Sequence, residues 1–297
     1  MRFSLRQLEV VQAIAQHGTT ARAAQALNLS QSAVSAALQN LESTYSVKLY
    51  DRIGRRLELN PLGQAVKRRA SSMLAQAQDL ERLLLQSTLP DQIRIGASHT
   101  IANHVLVDYI ADFHRLYPET RIEVSSGNSP AIIEQVISHQ VELGLIENDM
   151  NHPELSFEPW LSDELVVFAA PNNPLCDIAV LNDKHLSQQP WILREPSSGT
   201  RQRFDQAFSH LLSKLDVRYE FRHNEPIKRA VEQGLGLGCL SSRALASEIH
   251  DGRLVPLRLS SRYSMQRRFF MITPSGGYEP EGVQRFKQIC QPIDRSL

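Results

Sequence analysis

Residues 20–43 constrain this chain more than any other stretch. They have the pattern of a short helix, a tight turn at residues 28–30 and a second helix. The apolar residues of this pair can share one inner face: Ala24, Leu27, Val34, Leu38 and Leu41. Short polar side chains are left to point outward: Gln31, Ser32, Ser35 and Gln39. A helix with such a free face fits the major groove of DNA, although a merely solvated face would show the same pattern.

The flanking segments extend this pattern to a winged helix-turn-helix. Ser4 is a plausible N-cap for a helix over about residues 5–17, and Gly18 would end it. Residues 47–52 and 56–59 are predicted as two short strands around an arginine-rich tip. Such a hairpin can reach a flanking phosphate backbone or a minor groove, or it can be a solvated loop. The candidate contact residues in this wing are Arg52, Arg55 and Arg56.

Charge is distributed unevenly along the chain. The formal net charge is zero, yet residues 1–69 contain ten Lys and Arg against four Asp and Glu. The first 69 residues therefore carry a net charge of +6 and the remainder −6. A basic head on an acidic body favours binding to phosphate, with chance surface variation as the alternative.

A long helix is predicted to begin at Asn60 and Pro61 and to run to about Gln86. Apolar residues recur along it at spacings of three and four, which indicates a coiled-coil seam and a dimerisation helix. The alternative is a helix that packs on its own domain. Residues 89–91 are expected to form a linker. The seam residues are Val66, Ala70, Met73, Ala77, Leu80 and Leu84.

From Gln92 onward, predicted strands and helices alternate, which is typical of a parallel or mixed sheet with helices on both faces. Two lobes of this size suggest a ligand cleft between them. The predicted strands lie at 93–97, 121–125, 143–146, 165–170, 191–193, 218–221, 237–240 and 268–272. The predicted helices lie at 101–116, 130–139, 201–214, 225–233 and 279–291.

Composition excludes several classes of protein. The chain is 42% apolar, yet no apolar run approaches the roughly 18 residues of a membrane span. Charged and polar residues interrupt any signal-peptide pattern at the N-terminus, so we expect a cytoplasmic protein. The three cysteines, Cys176, Cys239 and Cys290, have no pairing rhythm and are expected to be buried, reduced thiols. No Cys and His spacing suggests a metal site, and no cofactor motif is present.

The chain resembles the LysR-type transcriptional regulators over its whole length. The resemblance implies DNA binding, a small-molecule effector, and a homodimer or homotetramer, with RNA polymerase as a further partner. Many family members have Pro at the position of Ser32. The motifs that carry the resemblance are Leu5-Arg6-Gln7-Leu8, Ala23-Ala24-Gln25-Ala26-Leu27, Leu29-Ser30-Gln31-Ser32-Ala33-Val34-Ser35, Leu41-Glu42, Leu49-Tyr50-Asp51-Arg52 and Asn60-Pro61-Leu62-Gly63.

The resemblance also implies the fold and its division. We expect an N-terminal winged helix-turn-helix, a long linker helix, and an α/β two-lobed effector domain like that of periplasmic binding proteins. The corresponding ranges are 1–60, 61–89 and 90–297. Within the last range, lobe I is expected at about 90–162 and 267–297, and lobe II at about 163–266.

Residues 193–201, 227–231 and 234–237 are similar to a subgroup linked with sulfur metabolism and sulfite-type anion sensing. In the implied fold, three segments meet at the carboxyl ends of strands and offer hydroxyl and N–H groups to an anion, with ordinary N-capping as the alternative. Glu147 and Glu195 are not included, because a carboxylate opposes an anion unless it is paired or turned away. The candidate effector residues are Ser98, Thr100, Asn128, Ser129, Ser197, Ser198 and Thr200.

Two other functions remain as alternatives: an enzyme with an appended DNA-binding head, and a constitutive architectural DNA-binding protein. The sequence has no GxSxG, no HExxH, no phosphate-loop lysine and no suggestive Cys–His pair, which disfavours an enzyme and leaves no candidate catalytic residue. His99 and His104 lie near the expected cleft and are more simply read as structural. A purely architectural role would leave the large two-lobed body without a purpose.

Overall fold

The computed structural model describes residues 2–54, 56–85, 92–148, 152–276 and 278–291. The chain divides into two compact units. The first comprises Met1–Pro90 with Ile137–His139 and Gly276–Gln284, and the second comprises the rest. Among the described helices, none has the length and apolar content that a membrane span requires.

The first unit is mainly helical. A two-stranded antiparallel hairpin, β1 paired with β2, follows its third helix and precedes a long fourth helix. The elements are α1 Leu5–His17, α2 Thr20–Ala26, α3 Gln31–Tyr45, β1 Tyr50–Ile53, β2 Arg56–Leu59 and α4 Pro61–Leu84.

Local capping explains where these helices begin. Ser4 and Gln7 form a capping box at α1, and Gly18 ends that helix with a φ of 73°. The Ser30 hydroxyl accepts the N–H of Ala33 at the start of α3 over 3.1 Å. Asn60 accepts the N–H of Gly63 over 2.8 Å, one residue before Pro61 starts α4. The predicted starts at Ser4 and Asn60 are therefore confirmed.

The core of the first unit lies between α1, α2 and α3. The inner face predicted from the sequence is buried at Ala24, Val34, Leu38 and Leu41. Leu27 packs against this core while partly exposed. The hydroxyl of Tyr50 in β1 donates to the carbonyl of Val11, which ties the hairpin to the helical core.

The second unit alternates strands and helices. Its elements are β3 Gln92–Ser98, α5 His99–His104, α6 Leu106–Leu116, β4 Arg121–Gly127, α7 Ser129–Ile137, β5 Leu143–Ile146, β6 Leu155–Ala169, α8 Asp183–Ser187, β7 Pro190–Arg194, α9 Gly199–Ala207, β8 Asp216–Phe221, α10 Asn224–Glu232, β9 Leu237–Ser241, α11 Ser242–His250, β10 Val255–Pro256, β11 Gln266–Pro274 and α12 Glu281–Cys290. Short 3-10 turns occupy Pro174–Asp177 and Leu212–Lys214.

Two sets of parallel strands define the two lobes of this unit. The strand order is β4-β3-β5-β11-β6-β9-β7-β8, with β10 paired to β6. In lobe I, β3 is parallel to β4 and β5; in lobe II, β7 is parallel to β8 and β9. The antiparallel strand β6 pairs with β11 over its first part and with β9 from Leu165 onward, so it passes from one lobe to the other. The expected two-lobed α/β architecture is confirmed.

Three predicted elements differ from the structure. The helix expected over 101–116 is two helices, because Val105 has a non-helical backbone (φ −135°, ψ −51°). The strand expected at 165–170 is the second half of β6, whose more polar first half is held by pairing with β11 rather than by apolar alternation. The helix expected over 201–214 ends at Ala207, where Phe208 turns into the lobe II core and stacks on Phe204 with ring centroids 4.3 Å apart.

Candidate DNA interface and effector site

The outer face of α3 is polar and accessible. Gln31, Ser32 and Gln39 are exposed and Ser35 is half-buried, while Val34 and Leu38 beneath them are buried. Ser32 Oγ lies 2.9 Å from Ser30 Oγ, and Gln31 donates weakly to Thr20 Oγ1 over 3.4 Å. Ser35 and Gln39, one helical turn apart, are available for base edges.

The hairpin places its arginines in solvent. The hairpin register pairs Tyr50 with Leu59 and Ile53 with Arg56. Arg52 and Arg56 are exposed, and Arg52 Nε donates to the carbonyl of Gly54 over 3.4 Å. Arg55 lies outside the described residues.

The predicted seam of α4 is divided between two environments. Ala70 is buried against Leu8 of α1, and Met73 packs on the same cluster. Val66 packs against the helix-turn-helix core. The first half of α4 therefore packs on its own domain, which is the alternative that the sequence left open. Leu74 is an additional buried residue in this half.

The second half of the seam faces solvent. The exposed fraction is 57% for Leu80 and 75% for Leu84, and Ala77 is half-buried. Large exposed apolar side chains one turn apart on a helix are typical of a coiled-coil contact. The helix end expected at Gln86 and the linker expected at residues 89–91 lie outside the described residues.

The candidate effector residues lie at the carboxyl ends of strands in both lobes. Ser98 ends β3, Ser129 begins α7 after β4, and Thr200 is in the first turn of α9 after β7. Asn128 Nδ2 of lobe I donates to Ser197 Oγ of lobe II over 2.9 Å. Five of the seven candidates are almost fully buried: Ser98, Thr100, Ser129, Ser198 and Thr200.

The Glu147 carboxylate makes contacts between the two lobes. It follows β5 in lobe I, and its Oε2 accepts hydrogen bonds from Thr200 Oγ1 over 3.0 Å and from Arg267 Nη1 over 2.6 Å. Arg267 also donates from Nε to Asp163 Oδ2 over 2.6 Å, and Asp163 accepts from Ser241 over 2.6 Å. A buried ionic network thus joins the effector segments to β6 and β11.

This network keeps Glu147 charged. Burial alone would raise the pKa of Glu147, but the Arg267 charge and the nearby hydroxyls of Thr100 and Ser98 bring it to about 2. Both hydroxyls act on the Glu147 carboxylate, although neither is positioned for a well-formed hydrogen bond within the described residues. The two carboxylates near Arg267 raise the pKa of its guanidinium against the effect of burial. Glu147, which is left out of the candidate effector residues because a free carboxylate opposes an anion, is therefore paired with a cation.

Glu195, the other carboxylate left out of the candidate effector residues, is paired as well. Glu195 accepts from Arg194 Nε over 2.9 Å and from Arg194 Nη2 over 3.1 Å, and the Arg194 side chain is 1% exposed. Arg194 Nη1 donates to Asn224 Oδ1 over 3.1 Å. Sequence reasoning missed Arg194, Arg267 and Asn224. The available signal was an arginine at the end of an apolar strand, as in 191–194.

The serines at the helix starts do not act as caps. Ser98 and Ser198 occupy the N-cap positions of α5 and α9, yet neither side chain caps its helix within the described part of the chain. By contrast, Asn128 Oδ1 accepts the N–H of Ala131 at the start of α7, as ordinary capping requires. The capping alternative thus holds for Asn128 and fails for Ser98 and Ser198.

Several buried hydroxyls here have no partner. Among the residues that the structure describes, Ser98 Oγ, Thr100 Oγ1 and Ser129 Oγ are buried without a hydrogen bond. A buried hydroxyl without a partner is costly, so such groups call for an explanation. All three of these hydroxyls lie in the strand-end segments of lobe I.

The sequence predicts that the three cysteines are buried and reduced, and it suggests no metal site. Cys239 and Cys290 are buried and Cys176 is half-buried, which departs slightly from three fully buried thiols. Burial raises the pKa of the Cys239 and Cys290 thiols, which makes both poor nucleophiles. Within the described ranges, no group of three or more His, Cys, Asp or Glu side chains could hold a metal ion.

Two family models match this arrangement. Residues 5–64 match the bacterial regulatory helix-turn-helix protein model of the lysR family. Residues 86–293 match the LysR substrate binding domain. The chain belongs to the LysR family of transcriptional regulators. LysR regulators bind DNA and small-molecule effectors, form oligomers, and are regulators rather than enzymes.

Individual relatives agree with this membership. The LysR chain is 40% identical over 298 residues to the HTH-type transcriptional regulator YeiE of Escherichia coli K12, covering 99% of each chain. A full-length OxyR variant from Pseudomonas aeruginosa shares the fold with a TM-score of 0.78, at 18% identity, covering 98% of this chain and 94% of that one. The regulatory domain of CcmR from Synechocystis PCC6803, in complex with 2-PG, has a TM-score of 0.64 at 23% identity and covers 69% and 98%.

Proposed function

We propose that this LysR regulator senses a small anion held between the two lobes of its effector domain. The carrying observation is that Ser98 and Ser198 occupy N-cap positions without capping. Hydroxyls held in this way, together with the unpartnered hydroxyls of Thr100 and Ser129, can donate to the oxygens of an anion. The N-terminal N–H groups of α7 and α9 favour the same charge.

The charges around the site support an anion rather than a cation. Glu147 and Glu195 would attract a cation if they were free, but Arg267 and Arg194 neutralise them. The groups left to contact a ligand are then hydroxyls, backbone N–H groups and two side-chain donors without a partner among the described residues, Arg267 Nη2 and Asn224 Nδ2. Sulfite is the first anion to test, because residues 193–201 resemble those of sulfite-sensing members.

We propose that the DNA contacts come from α3 and the hairpin. The exposed faces described above support roles for Gln31, Ser32, Ser35 and Gln39 in the major groove, and for Arg52, Arg55 and Arg56 on the backbone or minor groove. We assign residues 1–60 to DNA binding, 61–89 to the linker and dimerisation helix, and 90–297 to effector binding. A homodimer or homotetramer formed through Leu80 and Leu84 would present two or more DNA-binding units.

A thermal-shift screen tests the effector proposal. We expect sulfite, sulfate or another small oxyanion to raise the Tm of the full chain, and the double variant Ser98→Ala with Thr100→Val to lose that shift. Because both hydroxyls favour the charged form of Glu147, we expect this variant to be less stable than the wild type, so each ligand-induced shift is measured from the variant's own Tm without ligand.

Ser71→Ala is the matched control. Ser71 in α4 also carries a buried hydroxyl with no partner among the described residues, but it belongs to the other unit. Its variant should keep the full ligand-induced shift. A double variant that keeps the wild-type shift would refute the site, and a chain that no anion stabilises would refute the ligand class. A gel shift on the upstream DNA of its own gene, with and without the anion, then tests regulation.

A further inference from the structure

Asn224 presents an unpartnered donor in lobe II. It is the first residue of α10, directly after His223, and only 4% of it is exposed. Its Oδ1 accepts from Arg194 Nη1 over 3.1 Å, while its Nδ2 is buried without a partner among the described residues. Because an arginine can only donate, the amide cannot be reversed, and the free atom must be the donor nitrogen.

Arg194 holds Asn224 in this orientation without needing a ligand itself. Its Nε and Nη2 contact both carboxylate oxygens of Glu195, so the charge of the guanidinium is already matched. The bidentate pair fixes the direction of Nη1 and therefore the rotamer of Asn224. Arg194 is thus a positioning residue.

The surroundings of Asn224 lie where the two lobes meet. The ring of His223 in lobe II contacts the ring of His99 in lobe I, with centroids 4.8 Å apart. His99 stands between Ser98 and Thr100, whose hydroxyls have no partner within the described ranges. Burial lowers the pKa of His99, helped by the charges of Arg194 and His223 and opposed by those of Glu195 and Glu147. The charged groups that act on His99 therefore come from both lobes.

We propose that Asn224 is a further effector-binding residue, which donates from lobe II to the same oxyanion that the Ser98 and Thr100 hydroxyls bind from lobe I. His99 and His223 flank the approach to it. The inference rests on the proposed function and adds its lobe II half. A ligand that bridges donors in both lobes binds the closed arrangement more tightly than an open one, which is what a ligand needs in order to shift a conformational equilibrium.

The variant Asn224→Asp tests this donor directly. It keeps an oxygen that can accept from Arg194 Nη1, but it replaces the donor Nδ2 by a second acceptor and adds negative charge. We expect the affinity of the full chain for sulfite and sulfate, measured by titration calorimetry and thermal shift, to fall at least about tenfold. Chloride at equal ionic strength is the reference for non-specific salt effects.

Asn182→Asp is the matched control. Asn182 is the N-cap of α8 in the same lobe, where its Oδ1 accepts two backbone N–H groups, a role that Asp fills equally well. We expect this variant to bind as the wild type does. His223→Ala is the second test, since His223 is exposed and its loss should not unfold the chain; we expect severalfold weaker binding.

The outcomes separate the two proposals. If the wild type responds and folded Asn224→Asp binds equally well, the role of Asn224 is overturned and the anion site stands. If Asn224→Asp fails to fold, the His223→Ala variant decides: an affinity for sulfite and sulfate equal to that of the wild type overturns the inference. If the wild type responds to neither sulfite nor sulfate, both proposals fail for these anions.

Discussion

Thr200 in lobe II donates a hydrogen bond of 3.0 Å to Glu147 in lobe I, and the same hydroxyl accepts from Arg267 over 3.1 Å. The three side chains are almost fully buried. A candidate ligand residue, a lobe I carboxylate and an arginine of β11, which pairs with β6, are therefore in direct contact.

We expect Arg267→Met to lower the free energy of unfolding by about 3–5 kcal/mol, because it leaves the buried carboxylates of Glu147 and Asp163 without their cation. Urea denaturation measures the change. Arg268→Met, at the exposed neighbouring position, should stay within about 0.5 kcal/mol of the wild type. Equal stability of the two variants would contradict the role assigned to the network.

We expect the stability of the chain to fall as the pH drops below about 6.5. Burial lowers the pKa of His99 and of His104, aided by Arg194 and His223 at the first and by Lys228 at the second. Both imidazoles stay neutral in the folded chain at pH values where the unfolded chain protonates them. The unfolded state then binds more protons, so the free energy of unfolding falls. Tm measured from pH 8 to pH 5 should fall less in His99→Gln and His104→Gln, and parallel profiles would speak against this.

We expect alanine at Arg52, Arg55 or Arg56 to weaken binding to all DNA sequences alike. Each lost phosphate contact should make the slope of log K against log salt less negative by about one unit. Fluorescence anisotropy over a salt series measures this slope. Arg218→Ala, an exposed arginine of lobe II, serves as the control. A slope unchanged in the hairpin variants would remove the hairpin from the interface.

We expect Gln39→Ala to reduce specific binding and to spare non-specific binding. An amide side chain suits adenine, and a lost bidentate base contact costs about 1–3 kcal/mol in discrimination. The ratio of affinities for the chain's own upstream DNA and for random duplex measures the effect, with Gln188→Ala in lobe II as control. If the affinities for the upstream DNA and for random duplex fall by the same factor, Gln39 contacts the DNA phosphate backbone and not a base.

We expect Leu80→Asp with Leu84→Asp to shift the oligomer toward the monomer. The two leucines are exposed on α4, and burying charge at a coiled-coil seam is unfavourable. Sedimentation equilibrium measures the shift. Leu62→Asp, an exposed leucine in the first turn of the same helix, should leave the association unchanged. An oligomer that tolerates the double change must form through another surface.

Patterns within short segments were enough to predict the helix-turn-helix. The buried face from Ala24 to Leu41, and the helix starts at Ser4 and Asn60, follow from periodicity and capping that act within a few residues. The break at Val105 and the first half of β6 were not predictable in this way. Pairing with β11, more than 90 positions further along the chain, decides the first half of β6, and local propensity does not record it.

Local patterns were enough to predict a helix-turn-helix followed by an α/β domain, a basic N-terminal segment and serine- and threonine-containing segments after the strands. These depend on residue types and spacings that are local along the chain. Two features required the folded chain: the neutralisation of Glu147 and Glu195 by Arg267 and Arg194, and the Asn224 donor that has no partner among the described residues. The reason is physical: Arg267 lies 120 positions from Glu147 and Asn224 lies 30 from Arg194, so their pairing exists only once the fold has brought them together.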